Sequence, residues 1–257
     1  MRPPSHDDAL AGTRAQYALL AEAVESLPDD VFDKPTRLHG WNVAALVAHL
    51  TRGAQAIVNR AESTSGGTPE IDALEYLSTM RNGAEGSAAR AVEAAKGQAP
   101  SALRAAFAAT VGAASSAEAA FDAPVPGTLG TISFGDYLVT RCVEGVVHGL
   151  DLKAATGVPA APDPTALKVA VRILAALVER AAVGKSVEVR VPGHVAFQCI
   201  PGPRHTRGTP GNVVEADPVA FVEVASGRRS WEDAVGLGQI RGSGKRADLT
   251  EWLPVIG

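Results

Sequence analysis

Two side chains that can bind a metal or move a proton interrupt an apolar stretch near the middle of the chain. Glu144 and His148 lie four positions apart in "RCVEGVVHGLDL", residues 141–152. On a helix, this spacing places both side chains on one face, a turn from each other. They form either a solvated ion pair on an outer face or two parts of a site that needs a carboxylate and an imidazole together.

Small residues near this pair favour the second alternative. Gly145 and Gly149 flank it, although glycine inside a helix costs about 1 kcal/mol relative to alanine, so close approach by another helix would have to compensate. The stretch "GWNVAALVAHLTRG" places His49 on a helix side that it shares with small residues, namely Ala45, Gly53 and Ala56. His49 is either a structural residue of its helix, or two closely packed helices, one with His49 and one with Glu144 and His148, could form a three-ligand site between them.

Two neighbours of the pair could take part in such a site. Cys142 is two positions from Glu144, on roughly the opposite side of the helix, so we interpret it as a small buried hydrophobic residue rather than a fourth ligand. Asp151 follows His148 by three positions. It could orient that imidazole by accepting a hydrogen bond, or equally it could be a surface residue or a partner of the helix end.

Composition excludes several classes of protein. A chain of 257 residues, 46% hydrophobic and 20% charged, can bury a substantial core. Its net charge of -4 provides no positive field for nucleic acid or an acidic membrane surface. The only two cysteines suit a reducing cytoplasm, and neither a signal-peptide pattern nor an apolar stretch of bilayer length is present. We therefore expect a soluble cytoplasmic protein without nucleic-acid or membrane partners.

The first part of the chain, residues 1–157, predicts long antiparallel helices joined by short loops. It is rich in alanine, and capping residues mark where helices begin. These starting signals are Ser5, Asn42, Thr68-Pro69, Ser101 and Ser133. Gly157 follows the helix that carries Glu144, at the position where a left-handed residue is favoured.

The second part, residues 163–257, predicts a small α/β domain. The proline-rich "GVPAAPDP" precedes it, and Asp163-Pro164 and Asp217-Pro218 each start a helix. Strands are predicted in "SVEVRV", "VAFQCI", "NVVEA" and "QIRGSG", with a hairpin turn at residues 192–194 and a closing helix in "ADLTEWLPVI". The chain is therefore expected to divide into two domains, 1–157 and 163–257.

The motif "GWNVAALVAHL", followed about ninety residues later by "VEGVVHGLDL", resembles the N-terminal domain of the mycothiol-dependent maleylpyruvate isomerase family. That domain is a DinB-like four-helix bundle, and the resemblance covers most of residues 8–157. The segment "DPVAFVEVASGRRSWEDAVGLGQIRGSG" resembles the sterol-carrier-like domain that accompanies the bundle in many members. The resemblance implies an α+β two-domain fold, a DinB-like four-helix bundle followed by a small sterol-carrier-like α/β domain.

The resemblance also implies a metal and a thiol. In the family, the matching positions bind a divalent metal, usually zinc, which assigns the metal to His49, Glu144 and His148. Two imidazoles and one carboxylate are indeed a ligand set of catalytic zinc sites, which keep a fourth position open. Mycothiol is the family's thiol co-substrate, and metal binding deprotonates a coordinating thiol.

Three functions are compatible with these features. The thiolate could add to the cis double bond of maleylpyruvate, allow rotation and leave, giving the trans isomer. The same thiolate could displace a leaving group or open an epoxide, which would make the protein a mycothiol S-transferase. A non-enzymatic alternative is that the second domain holds an apolar ligand and the bundle only supports it. We favour the isomerase, whose partners are a small substrate and a low-molecular-weight thiol. The sequence leaves the oligomeric state open.

An anionic substrate calls for arginine, whose planar donors match a carboxylate. In the family, a Gly-Arg after an apolar helix contributes an arginine to the site. "VASGRR" places Arg228 there, and "IRGSG" offers Arg241 as a second candidate. Surface solvation is the alternative expectation for each arginine of this region, namely Arg204, Arg207, Arg228, Arg229 and Arg241. His194 and His205 lie in turn-like segments and are expected to have no catalytic role. In the first domain, His39 either borders the metal pocket or is exposed, and Trp41 packs the helix start.

Overall fold

The computed structural model describes residues 1–79, 84–159, 161–202 and 211–256. The chain divides into two compact units. The first, here called the helical unit, is Ser5–Ala166. The second, the mixed unit, is Leu167–Gly257 together with Met1–Pro4.

Four long helices form the helical unit. Its elements in chain order are α1 (His6–Glu25), α2 (Val43–Glu62), α3 (Ala73–Ser78), α4 (Ala84–Ala95), α5 (Pro100–Ser116), the short antiparallel strands β1 (Pro124–Pro126) and β2 (Thr131–Ser133), and α6 (Phe134–Thr156). Helices α1 and α2 each pack against both α5 and α6, which closes a four-helix bundle. Helix α6 is buried along most of its length, including the charged residues Arg141, Glu144 and Asp151.

Side-chain caps fix where three of the long helices begin. Ser5, Asn42 and Ser133 each accept a hydrogen bond from the backbone N–H three residues on, at 3.0–3.1 Å, which confirms the predicted starts of α1, α2 and α6. Helix α6 ends at Gly157, which has a φ of 75° and is left-handed as predicted.

Two helices begin at residues other than those predicted. The helix expected at Thr68-Pro69 begins instead at Ala73, behind a capping box formed by Asp72 and Glu75. The chain before it stays extended because the N–H groups of residues 70 and 71 donate to the carbonyl oxygen of Thr131. Helix α5 begins at Pro100, so the predicted cap Ser101 lies inside its first turn.

In its described residues, the mixed unit contains a four-stranded sheet and three helices. Its elements are α7 (Pro164–Ala181), β3 (Val187–Val191), β4 (Val195–Cys199), β5 (Val213–Ala216), α8 (Pro218–Ala225), α9 (Trp231–Gly236) and β6 (Ile240–Ser243). The strand order is β4-β3-β5-β6, in which β3 and β5 are parallel and the other pairs are antiparallel. The predicted strands and the hairpin turn are confirmed, and so is the α+β fold class.

The end of the chain is not the predicted closing helix. Only a 3-10 turn, Thr250–Trp252, forms there. The following residues run extended, and the N–H groups of Val255 and Ile256 donate to the carbonyl oxygen of Ala225. Helix α9, capped by Ser230, is an element that the sequence reasoning missed.

The apolar interior of the mixed unit is almost filled. In the described part of this unit, the void between sheet and helices measures about 10 Å³. It is lined by apolar side chains, among them Val178, Phe221, Trp231 and Leu253. A void of this size holds about one water molecule, so it offers no room for a sterol-sized ligand. Separately, none of the described helices is both long and apolar enough to cross a bilayer.

The cap of α6 provides a stability test. Ser133→Ala removes the acceptor for the Asp136 N–H, so we expect the free energy of unfolding to fall by about 1 kcal/mol. Ser101→Ala is the matched control, because Ser101 is exposed within α5 and should change stability very little. Urea unfolding followed by helical circular dichroism would measure both, and equal effects would contradict the assignment of the cap.

Candidate metal and active site

Helices α2 and α6 bring the three predicted metal ligands together. Nε2 of His49 lies 3.2 Å from Oε1 of Glu144, and the ring centroids of His49 and His148 are 4.8 Å apart. Glu144 is only 7% exposed. The alternative of a solvated pair on an outer face is therefore wrong, and the two side chains of α6 point with His49 into one buried cluster.

Glycines give this cluster its space. A Cβ on Gly53 would lie 2.5 Å from Oε2 of Glu144, so only glycine lets α2 approach α6 at this point. A Cβ on Gly145 would lie 2.9 Å from the Gln16 side chain, and one on Gly149 would crowd the same residue of α1. The predicted close approach of other helices to α6 is thus present, with α2 on one side and α1 on the other.

The second oxygen of Glu144 is held by two further side chains. Oε2 accepts a hydrogen bond from the Tyr17 hydroxyl at 2.8 Å and one from NH1 of Arg141 at 2.5 Å. Burial alone would raise the pKa of Glu144, but the Arg141 charge and the His49 hydrogen bond bring that pKa far below its usual value. In the same way, the Glu144 charge outweighs burial and raises the pKa of Arg141. The carboxylate is therefore ionised although it is buried.

Sequence reasoning missed both of these partners. Arg141 is three residues before Glu144, so the i,i+3 spacing on α6 was a usable signal. Tyr17 lies 127 positions away in α1, and no local pattern connects it to Glu144.

A second buried carboxylate orients His148. Oδ2 of Asp151 lies 2.9 Å from Nδ1 of His148, and Nε of Arg37 donates to Oδ1 at 2.6 Å. Asp151 has no exposed surface, which decides between the alternatives left open by the sequence: it is an internal partner of His148. Because Nδ1 faces this carboxylate, Nε2 is the nitrogen of His148 that would bind a metal.

The loop before α2 borders the cluster. The ring of Trp41 lies 5.0 Å from that of His49 and 6.1 Å from that of His148, measured between centroids, so Trp41 covers both imidazoles rather than only packing the helix start. Residues 33 and 35–42 line an open groove of about 560 Å³. His39 is exposed and lines this groove, beside Trp41.

Cys142 faces away from the cluster. Its Sγ lies 3.3 Å from the carbonyl oxygen of Ala9 and from the Thr13 hydroxyl, both in α1. Burial raises the pKa of this thiol to about 12. The residue behaves as the small buried side chain that the sequence predicted.

The predicted substrate arginines lie in the mixed unit. Arg228 follows α8, and its NH1 donates to the carbonyl oxygen of Ser226 at 2.8 Å. Arg241 is an exposed residue of β6, paired in register with Glu215. Arg229 pairs with Glu223 at 2.7 Å, and His194 lies in the exposed hairpin turn. Arg204, His205 and Arg207 lie outside the described residues. A role for Arg228 or Arg241 in the reaction stays a prediction.

The cluster has the donor types of a metal site. Within residues 1–79, 84–159, 161–202 and 211–256, no three His, Cys, Asp or Glu side chains are arranged around a common point at metal distance. Two imidazoles and one ionised carboxylate nevertheless fit zinc by type, and the 3.2 Å between Nε2 of His49 and Oε1 of Glu144 is close to the separation of about 3.4 Å that two ligands of one tetrahedral zinc ion would have.

Fold and site together define a class of protein, a helical bundle with a buried His-Glu-His cluster joined to a sterol-carrier-like α/β unit. The family model described as the mycothiol maleylpyruvate isomerase N-terminal domain matches residues 13–153, and the model described as a bacterial SCP ortholog matches residues 163–255. Because the first match covers more than half of the chain, the chain belongs to the mycothiol-dependent maleylpyruvate isomerase family, which is a family of enzymes.

Solved structures agree with this fold. The crystal structure of a mycothiol-dependent maleylpyruvate isomerase is 18% identical, with a TM-score of 0.60, over 95% of this chain and 96% of that one. The structure of a histidine-to-alanine mutant of such an isomerase matches equally, with the same identity, coverage and TM-score. At this identity the similarity concerns the fold. No curated protein matches the chain.

The approach of α2 to Glu144 can be tested with one methyl group. In Gly53→Ala, the new Cβ would lie 2.5 Å from Oε2 of Glu144 and 2.9 Å from the Tyr17 hydroxyl, so we expect a loss of about 1–3 kcal/mol in the free energy of unfolding. Gly112→Ala in α5 is the control, because a Cβ there meets nothing within 4 Å. It should stabilise by up to about 1 kcal/mol. Denaturant unfolding measures both, and a neutral Gly53→Ala would contradict the packing described.

Proposed function

We propose that this protein is a mycothiol-dependent metalloenzyme that isomerises a maleylpyruvate-type enedioate. In this proposal a divalent ion, with zinc as first choice, is held by His49, Glu144 and His148. The observation that carries it is the buried contact between His49 and Glu144, with His148 beside them, in a member of a family whose name specifies mycothiol.

The residues of the chain supply two things to such a site. The charge of Arg141 keeps Glu144 ionised, and hydrogen bonds from Arg141 and Tyr17 hold its Oε2 in place. Asp151 holds Nδ1 of His148, so that Nε2 is presented to the metal. A bound zinc ion would keep a coordinating thiol deprotonated at neutral pH, which turns a weak nucleophile into a strong one.

The proposed reaction is balanced without an added oxidant or reductant. The thiolate sulfur of mycothiol forms a bond to one carbon of the cis double bond, and the electron pair moves onto the conjugated carbonyl. Rotation about the resulting single bond follows. Return of the electron pair breaks the carbon–sulfur bond, releases the thiolate and leaves the trans isomer, so mycothiol is not consumed.

The two alternative functions, S-transferase and apolar carrier, make different predictions about mycothiol and about the interior of the mixed unit. An S-transferase would join the same thiolate to its substrate for good, so mycothiol would disappear as product forms. A non-enzymatic apolar carrier needs an internal cavity, and the void of about 10 Å³ in the described part of the mixed unit argues against one. We also propose a cytoplasmic location, supported by two buried cysteines that are both free thiols.

His49→Ala should abolish both metal binding and turnover, because it removes one of three ligands. His194→Ala is the control, since that imidazole lies in the exposed hairpin turn of the mixed unit. Zinc content of the purified proteins and steady-state rates with and without mycothiol would measure the effect. Full activity of the wild-type enzyme without any thiol would overturn the mechanism, whatever its metal content.

Arg228→Ala should weaken binding or turnover of a carboxylate-bearing substrate and leave zinc content unchanged. The physical reason is the loss of a planar donor pair for a carboxylate. Arg241→Ala tests the second candidate, and Arg180→Ala, near the end of α7, provides an arginine control to which the proposal gives no role. If neither Arg228→Ala nor Arg241→Ala changes kcat or KM, these arginines do not bind the substrate.

A further inference from the structure

The two oxygens of Glu144 have different surroundings. Oε1 faces Nε2 of His49 at 3.2 Å, on the side of the proposed metal. Oε2 faces away and accepts hydrogen bonds from the Tyr17 hydroxyl at 2.8 Å and from NH1 of Arg141 at 2.5 Å. Oε1 therefore faces the proposed metal site, and Oε2 is held by hydrogen bonds from Tyr17 and Arg141.

The two residues that hold Oε2 are themselves fixed by packing. Tyr17 is 2% exposed and Arg141 is 5% exposed. Nε of Arg141 also donates to the Thr140 hydroxyl at 3.2 Å, and its guanidinium lies 4.8 Å above the ring of Tyr137. The missing side chain of Gly53 leaves the space in which Oε2 and the Tyr17 hydroxyl meet. Because both donors to Oε2 are fixed, the carboxylate group of Glu144 loses most of its freedom to rotate.

We propose that Tyr17 and Arg141 are positioning residues that restrict Glu144 to metal binding through Oε1 alone. The inference rests on the proposed metal site and extends it to the way in which the carboxylate binds. Both residues act through Glu144 and need not touch metal, thiol or substrate.

Binding through one oxygen matters because a carboxylate that binds through both oxygens fills an additional coordination position. With two imidazoles and one carboxylate oxygen as protein ligands, a tetrahedral zinc ion keeps a position for the thiol. The charges around the proposed metal also favour binding of a thiolate. Arg141 offsets the charge of Glu144, and Arg37 offsets that of Asp151, at 2.6 Å from Nε to Oδ1. A divalent ion would retain most of its positive charge and would favour an anionic fourth ligand such as a thiolate.

The test is Tyr17→Phe, which removes one hydroxyl and leaves the ring in place. Tyr137→Phe is the matched control. Tyr137 is equally buried and also lies beside Arg141, but the hydrogen bonds to Oε2 come from Tyr17 and Arg141. Zinc affinity is measured by competition with a chromophoric chelator, and the absorption bands of the cobalt(II)-substituted protein report the coordination number.

We expect Tyr17→Phe to bind zinc about 10–100-fold more weakly, the usual effect of losing a partner of a metal ligand, and its cobalt spectrum to shift toward higher coordination. Tyr137→Phe should match the wild type in both measurements. Arg141→Lys keeps the positive charge but loses the planar fork, so it should also weaken zinc binding and alter the spectrum. It provides an independent readout if Tyr17→Phe does not fold.

The possible failures can be told apart. If the wild type binds zinc and both Tyr17→Phe and Arg141→Lys match it in affinity and spectrum, the inference is wrong and the proposed metal site stands. If Tyr17→Phe and Tyr137→Phe weaken zinc binding equally, the effect is one of general packing and the inference is also wrong. If the wild type takes up no zinc or cobalt, the proposed function fails, and the inference fails with it.

Discussion

The ionised carboxylate of Glu144, buried within a helical bundle, determines what must surround it. Removing such a charge from water costs several kcal/mol unless charged and hydrogen-bonding partners replace the water. Here Arg141 and Tyr17 contact one oxygen and His49 contacts the other. Each partner comes from a different place, since Arg141 is on α6, Tyr17 on α1 and His49 on α2. The side chain of Glu144 therefore contacts residues of three helices.

The need to place partners around Glu144 explains why α2 and α6 contain glycines, which would otherwise weaken these helices. Glycine in a helix is unfavourable, yet a Cβ on Gly53 would meet Glu144 and Tyr17, and a Cβ on Gly145 would meet Gln16 and Tyr17. The caps at Ser133 and Gly157 fix the ends of α6. A shift of α6 by one residue would rotate Glu144 by about 100° away from His49. The caps of α6 and its close packing therefore both keep Glu144 beside His49.

The surroundings of His148 follow the same principle with a second carboxylate. Asp151 is fully buried, contacts Nδ1 of His148 and is paired with Arg37. In both cases an arginine offsets the charge of a carboxylate that holds or contacts a candidate ligand. This arrangement supports the proposal made above that a bound metal would retain positive charge for a thiolate.

The sequence by itself determined the features that a few neighbouring residues encode. The i,i+4 spacing of Glu144 and His148, the caps at Ser5, Asn42 and Ser133, and the alternating strands were all predicted correctly because their causes are local. The small residues beside His49 and then the motif resemblance connected His49 with this pair.

Tertiary structure decided whatever depends on contacts between distant residues. Tyr17 and Arg37 lie 127 and 114 positions from the carboxylates they contact, so no sequence pattern could assign them. Backbone hydrogen bonds to Thr131 and to Ala225 replaced two predicted helical segments by extended chain. A backbone N–H that pairs with a distant carbonyl is no longer available to a helix, and only the folded chain determines where such a partner lies.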